Sequence, residues 1–193
     1  FLNKRFPYDN VKKARVIVSI AAINLDEAAI NLHQFTNYAK GNYHANKAIA
    51  FYNQALLLNH KFIGYYNPNS AYANSLKGLM YFYKKDYASA LKYYNEGIRQ
   101  LSLPSDLKQE GFSNNNPMMI GLLDWKAWCL DDMYTQNKDA KLLYEIESTL
   151  LLMEKVWSRY TYDIIKNKNQ YNINGYISSP YNNLLKVYYK LYK

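Results

Sequence analysis

A segment of nine residues that occurs twice constrains the fold more than any other feature of this sequence. Residues 48–56 match residues 90–98, 42 positions later, in identity or residue type everywhere except Ala50 against Lys92. In both copies the small and apolar residues recur at i, i+1, i+4, i+7 and i+8, the spacing of one face of a helix with 3.6 residues per turn. A hairpin of such helices cannot bury its apolar face alone, and stacking on a neighbour buries it. The chain is therefore predicted to be all-α.

Turn and cap residues divide the chain into helical hairpins. Asp86 and Asp139 each precede a periodic segment, where a carboxylate can accept hydrogen bonds from the first N–H groups of a helix. Asn116 and Pro117 form a cap and first-position pair. We expect one repeat domain over residues 1–193, made of a helical N-terminal segment over 9–39, repeat units over about 26–59, 69–101 and 117–159, and a C-terminal helix over 180–193. The N-terminal segment is either one long helix or a helix pair broken near residues 24–26.

Small residues in the repeat indicate where helices approach one another. Ala48 and Ala90 occupy the same position of the two copies, and Ala55 lies two turns further along the first copy. Because a methyl side chain lets a neighbouring helix come close, we expect all three to be contact positions between helices.

The second unit resembles the tetratricopeptide (TPR) repeat family. The resemblance is carried by the spacing of Gly78, Tyr81, Tyr87, Ala90, Tyr94 and Gly97. Asn74 and Lys77 depart from the pattern, because the family has large apolar residues at these positions. The resemblance implies a right-handed superhelix of antiparallel helix hairpins. The 42-residue period is similar to the longer variant found in kinesin light chains and in bacterial CHAT-domain proteins.

The C-terminal part is similar to the last TPR units of TPR–CHAT proteins from Bacteroidetes. The similarity is carried by Leu130, Tyr134, Asp139, a long helix to Arg159, and Pro180 followed by an apolar helix. It implies a caspase-like protease domain beyond Lys193. Since the chain begins at Phe1 without a recognisable leader, we expect it to be a piece of a longer protein. We also expect the C-terminal helix to expose an apolar face on which another segment docks.

The charge of the chain favours acidic partners or nucleic acid. Lys and Arg number 24 against 15 Asp and Glu, which gives a formal net charge of +9. Almost all of these cations are Lys, and they are spread along the chain without the basic stripe typical of nucleic-acid binding. Nucleic-acid binding is therefore the alternative to binding of a protein or peptide. The longest strongly apolar run, residues 16–22, is far shorter than the roughly 20 residues that span a bilayer.

The sequence does not place residues in a catalytic or metal-binding pattern. Cys129 is the only cysteine, and its position inside a periodic helix favours a buried structural thiol over a nucleophile. His44 and His60 have no third ligand at metal-binding spacing. Asp131 and Asp132 point about 100° apart on a helix, so they do not form a carboxylate pair. We predict no catalytic residues, no metal and no cofactor, and one cysteine leaves the cellular compartment open.

The TPR resemblance places one set of side chains on the inner helices but outside the packing stripe. Aromatic residues on a concave surface are typical binding anchors. The candidate partner-binding residues are Tyr72, Ser75, Leu79, Phe82 and Tyr83 in the second unit, and Trp125, Trp128 and Asp132 in the third. The resemblance implies a scaffold that binds a peptide, a partner protein or its own downstream domain, and that regulates a CHAT protease. Packing against neighbouring helices is the competing explanation for each residue.

Overall fold

The computed structural model describes residues 7–34, 37–102, 116–166, 186–187 and 189–190. Within these ranges the regular structure is helical and no strand is present, which confirms the all-α prediction. The six long helices are α1 (Pro7–Ala29), α2 (Tyr38–Phe62), α3 (Pro68–Tyr83), α4 (Tyr87–Leu101), α5 (Asn116–Asn137) and α6 (Ala140–Lys166). A π-helical turn, Ile30–Gln34, continues α1.

The N-terminal segment is one long helix rather than a broken pair. Residues 24–26 lie inside α1, and the side chain of Asn24 donates a 2.9 Å hydrogen bond to the Ile20 carbonyl one turn earlier. Because this bond lies along the helix, the polar residues near 24–26 do not interrupt it. The first hairpin consists of α1 and α2. Its first helix begins at Pro7, well before residue 26, where the sequence predicts the first repeat unit to begin.

The chain divides into two compact units, Phe1–Gln109 and Glu110–Lys193. In the first unit α1 pairs with α2 and α3 pairs with α4, while α3 also contacts both α1 and α2. In the second unit α5 pairs with α6. Most of the C-terminal helix expected over 180–193 lies outside the described residues, and residues 186–187 and 189–190 are helical.

The turns of the second and third hairpins use the same local structure. Lys85 and Lys138 both adopt left-handed backbone angles, with φ of 59° and 57°. The next residue in each case accepts a hydrogen bond from the following helix: Asp86 from Ser89 N at 3.1 Å, and Asp139 from Lys141 N at 3.0 Å. A left-handed residue ends one helix and a carboxylate cap begins the next, so both caps predicted from the sequence are confirmed.

Small residues allow the close helix contacts expected from the repeat. Ala48, Ala55 and Ala90 each have 0% of their surface exposed. Gly78 on α3 is more tightly enclosed, because a Cβ atom added there would lie 2.5 Å from a ring carbon of Tyr94 on α4. The repeat thus packs an aromatic ring of one helix directly against the backbone of its partner.

The two polar departures from the TPR pattern make bonds inside the first unit. Asn74 Nδ2 donates a 2.9 Å hydrogen bond to Gln100 Oε1, and Gln100 Nε2 lies 3.1 Å from His60 Nε2. The ammonium of Lys77 bonds the Asn53 side chain on α2 and lies 3.9 Å from the centre of the Tyr93 ring. These bonds link α3 to α2 and α4, and they satisfy buried polar groups that would otherwise destabilise the fold.

Candidate functional site

A cleft of about 260 Å³ opens where α1, α2 and the start of α3 meet, and we call it the interhairpin cleft. Its lining residues are Ala14, Arg15, Val18 and Ser19 of α1, Asn59 of α2, and Asn69 and Tyr72 of α3. The four α1 residues are spaced i, i+1, i+4 and i+5, so they lie on one helix face. The Asn67 side chain caps α3, because it accepts a 2.7 Å hydrogen bond from Ser70 N. With α3 beginning there, Asn69 and Tyr72 lie in its first two turns.

Asn59 is the unusual member of this lining. Only 1% of its surface is exposed, and neither Oδ1 nor Nδ2 has a hydrogen-bond partner. Its backbone carbonyl is used, since it accepts bonds from Ile63 N at 2.8 Å and Gly64 N at 3.2 Å where α2 ends. A buried polar group without a partner costs about 1–3 kcal/mol, and most such groups in folded proteins are satisfied. The oxygen and nitrogen of this carboxamide are both shut off from solvent, so the side chain is held there at a cost to stability.

The charge at the cleft is positive. Arg15 lies on the exposed side of α1, and no Asp or Glu is among the lining residues. The Ser19 hydroxyl donates a 3.2 Å hydrogen bond to the Arg15 carbonyl one turn earlier in α1. The lining thus combines one cation with neutral groups that can both donate and accept hydrogen bonds.

A second unpaired polar group lies on the same face of α2. Tyr52 precedes Asn59 by seven residues, two helical turns, and its buried hydroxyl has no hydrogen-bond partner. Burial raises the pKa of Tyr52, and the nearby Tyr72 and Asp26 raise it further. Burial and the same Asp26 raise the pKa of Tyr83. Tyr52 of α2 and Tyr83 of α3 are thus both close enough to Asp26 of α1 to feel its charge.

The structure brings one of the five second-unit candidates to the cleft. Tyr72 lines it with 43% of its surface exposed. Ser75 is buried, and its hydroxyl donates a 2.7 Å hydrogen bond to the Tyr72 carbonyl. This hydroxyl therefore already has a hydrogen-bond partner within α3. Leu79 and Tyr83 are half-buried, and the half-buried Phe82 ring packs edge-on against the rings of Tyr83 and Tyr87.

The third-unit candidates lie in the second compact unit. Trp128 has 59% of its surface exposed, Trp125 is half-buried and Asp132 is exposed. Trp128 lines a smaller cleft of about 150 Å³ between α5, α6 and residues 186, 187 and 190. There Val187 is buried and the ammonium of Lys190 bonds Asp131. The one described apolar residue of the C-terminal helix that is buried, Val187, therefore faces α5 and α6.

Sequence reasoning missed Asn59, Arg15 and Asn69. A signal for Asn59 was present, because it continues the buried stripe of α2 formed by Ala48, Tyr52 and Ala55. A carboxamide at the next position of a buried apolar stripe is expected to form a hydrogen bond, either with another group of the protein or with a bound molecule. The repeated segment ends at residue 56, so the repeat by itself does not reach Asn59.

Cys129, His44 and His60 have structural surroundings. Cys129 is fully buried, and burial together with the charge of Asp132 raises its thiol pKa to about 12. His44 Nδ1 lies 3.3 Å from Asn24 Oδ1, and His60 contacts Gln100. Across the described ranges no group of three His, Cys, Asp or Glu residues could hold a metal ion. Nor is any described helix long and apolar enough to cross a bilayer.

Asp124 on α5 is a carboxylate whose burial affects stability. Burial raises its pKa, and its Oδ1 atom has no hydrogen-bond partner. A group whose folded pKa is raised contributes stability that is fully present below its unfolded pKa and is lost as the pH rises through the folded pKa. Ionised Asp124 should therefore destabilise the chain at neutral pH.

We expect Asp124→Asn to be more stable than the wild type at pH 7, by about 1 kcal/mol, because a neutral amide costs less to bury than a carboxylate. At pH 3.5 the two proteins should have similar stability. Urea unfolding at both pH values measures the difference. Asp132→Asn, an exposed change on the same helix, serves as the control and should shift stability by less than about 0.5 kcal/mol. Equal stability of wild type and Asp124→Asn at pH 7 would contradict the buried-charge interpretation.

Compared with known proteins, the chain matches no protein-family model, no curated protein and no solved structure. Its class is therefore defined by its own geometry: an all-helical chain of hairpins with capped turns and an open cleft between the first hairpin and the next helix.

Proposed function

We propose that the chain is a helical-repeat scaffold that holds a segment of another protein, or of its own full-length chain, against its inner helices. The observation that carries this proposal is the interhairpin cleft, with Tyr72 exposed at its edge. Clefts between stacked helices are common binding sites, and an exposed aromatic ring is a typical anchor for a partner. No chemical step is needed for such a role.

A TPR-like superhelix is the arrangement that we propose for the hairpins. Two local features support it: the close packing of Gly78 against Tyr94, and the shared turns at Lys85–Asp86 and Lys138–Asp139. Each is what a repeated hairpin requires at equivalent positions. On the same resemblance we propose that the scaffold regulates a downstream CHAT protease, and the remainder of the open reading frame tests that part directly.

The scaffold proposal is tested by selecting ligands for the whole chain from a random library of displayed peptides. We expect enriched peptides with a common motif, bound with micromolar or weaker affinity and competing with one another. A parallel titration with single-stranded RNA tests the alternative, because nucleic-acid binding should weaken steeply as salt rises. Salt-sensitive RNA binding together with no enriched peptide would overturn the scaffold proposal in favour of nucleic acid.

A further inference from the structure

We propose that α1 pairs, in antiparallel orientation, with α1 of a second copy of this chain. The contact uses an exposed apolar stripe of α1, which we call the α1 seam. Its members are Val16, Ile20, Ile23 and Ile30. The proposal goes beyond the scaffold function and does not depend on it, because none of these residues lines the interhairpin cleft.

The α1 seam is a continuous stripe on one side of the helix. Its four side chains keep 38–65% of their surface exposed. At 100° per residue, their successive spacings of four, three and seven residues place them within a sector about 80° wide. The opposite side of α1 carries its buried residues, among them Ala21, Leu25 and Ala28. Because a helix that is apolar on both sides is normally covered on both, a contiguous exposed stripe of this kind marks an interaction surface.

Charged side chains of opposite sign lie at the two ends of the central part of the seam. Lys12 and Lys13 lie about one turn before its first member, and Asp26 and Glu27 follow Ile23 within about one turn. Among the described residues, none of these four charged side chains forms an ion pair. The seam therefore has a positive end and a negative end whose charges are available to a partner.

The positions of these charges select an antiparallel pair. Lys13 and Glu27 lie symmetrically about Ile20, each seven residues or about 10 Å away along the helix. A two-fold axis near Ile20 therefore brings Lys13 of each copy level with Glu27 of the second copy, and Val16 level with Ile23. Such an interface uses every contact twice. A parallel pair would instead place like charges side by side, which is unfavourable.

The size of the seam predicts a weak pair. Four apolar side chains and two cation–anion contacts are far fewer than the roughly 20–30 residues a side of a standard stable interface. The two helices also have to cross at a shallow angle of about 20°, as in coiled coils, for the charges at both ends to meet. We therefore expect an association that depends on concentration.

Sedimentation velocity of the whole chain measures this association. Between about 5 μM and about 500 μM the apparent mass should rise from one chain towards two, as mass action requires. Ile23→Lys should weaken the association at least about tenfold, because it places a cation in the apolar contact. Leu57→Lys is the matched control, since it adds the same charge at an exposed residue of α2 outside the seam, and it should associate as the wild type does. Circular dichroism should show the same helix content in both variants.

A charge exchange tests the pairing of Lys13 with Glu27. Lys13→Glu and Glu27→Lys should each weaken the association about three- to tenfold, because each variant alone brings like charges together. An equimolar mixture of the two variants should recover the wild-type association, since opposite charges then meet at both ends of the mixed pair. Failure of the mixture to recover would overturn the assigned contact.

Disulfide formation under mild oxidation tests the orientation. In a Cys129→Ser background, Ile20→Cys should link two copies rapidly, because the two equivalent positions lie beside the two-fold axis. Val16→Cys should link much more slowly, since its two equivalent positions are about 10 Å apart along an antiparallel pair, too far for a disulfide. Faster linkage at Val16→Cys would overturn the antiparallel arrangement.

The remaining outcomes also decide the matter. A chain that stays monomeric up to about 500 μM would overturn the proposal and leave the seam to a different protein or to another segment of a longer chain. An association that Ile23→Lys does not weaken, or that Leu57→Lys weakens equally, would show that the copies do not meet at the α1 seam. Library-selected peptides that bind the Ile23→Lys chain as well as the wild type would support the scaffold proposal independently of these results.

Discussion

Gly78→Ala should destabilise the chain by about 2 kcal/mol, although alanine is the better helix former. In the middle of a helix this exchange normally gains about 0.5–1 kcal/mol. At Gly78 the added Cβ would lie 2.5 and 2.6 Å from two ring carbons of Tyr94. Tyr94 is 1% exposed, so its ring has no room to turn away. Overpacking of this kind typically costs 1–3 kcal/mol and can cost more, and it outweighs the gain in helix propensity.

The matched control for this change is Gly121→Ala on α5. A Cβ added at Gly121 meets no atom within 4 Å, so the normal gain of about 0.5–1 kcal/mol should appear. Urea unfolding followed by circular dichroism measures both variants. In the double variant Gly78→Ala with Tyr94→Leu, the two changes should cost less together than the sum of the single changes, because the smaller side chain removes the clash. A Gly78→Ala protein as stable as the wild type would show that α3 and α4 do not pack as described.

The Gly78 contact illustrates how much of the fold the sequence specifies. The repeat from 48–56 to 90–98 identified helices by their spacing, and the spacing of small and aromatic residues identified Gly78 and Tyr94 as important positions. Both kinds of information are local, since each depends on residues within one helix or within one hairpin. The helical class and the caps at Asp86 and Asp139 were predictable for this reason.

The candidate site was harder to predict because it depends on three helices that are distant in sequence. Arg15, Asn59 and Tyr72 belong to α1, α2 and α3, and only the packing of these helices brings them to one cleft. The TPR resemblance selects Tyr72, an aromatic residue that it places on an inner helix. It gives no reason to select Asn59, which lies beyond the repeated segment 48–56. Whether a polar group lacks a hydrogen-bond partner depends on the packed structure, and the spacing of residues along the sequence does not reveal it.

The burial and ionisation of the Cys129 thiol distinguish a structural cysteine from a nucleophile. Its side chain is fully buried, and its pKa is raised to about 12 by burial and by Asp132. Since only the thiolate reacts with alkylating reagents, a raised pKa suppresses reaction even where the reagent can enter. The thiol also contributes stability that is fully present below its unfolded pKa and is lost as the pH rises through its folded pKa.

Iodoacetamide at pH 8.5 should therefore label Cys129 at least about a thousandfold more slowly in the folded chain than in urea. In the unfolded chain roughly a quarter of the thiol is ionised at this pH, against less than about one part in a thousand for a pKa near 12, and burial slows access further. The matched control carries Cys129→Ser with Asp132→Cys, three residues further along α5 and exposed, and should react at nearly the unfolded rate. Mass spectrometry of quenched samples follows both reactions. Rapid labelling of the native wild-type chain would mark Cys129 as a reactive thiol, and the proposal that this chain is a scaffold without chemistry of its own would then have to be abandoned.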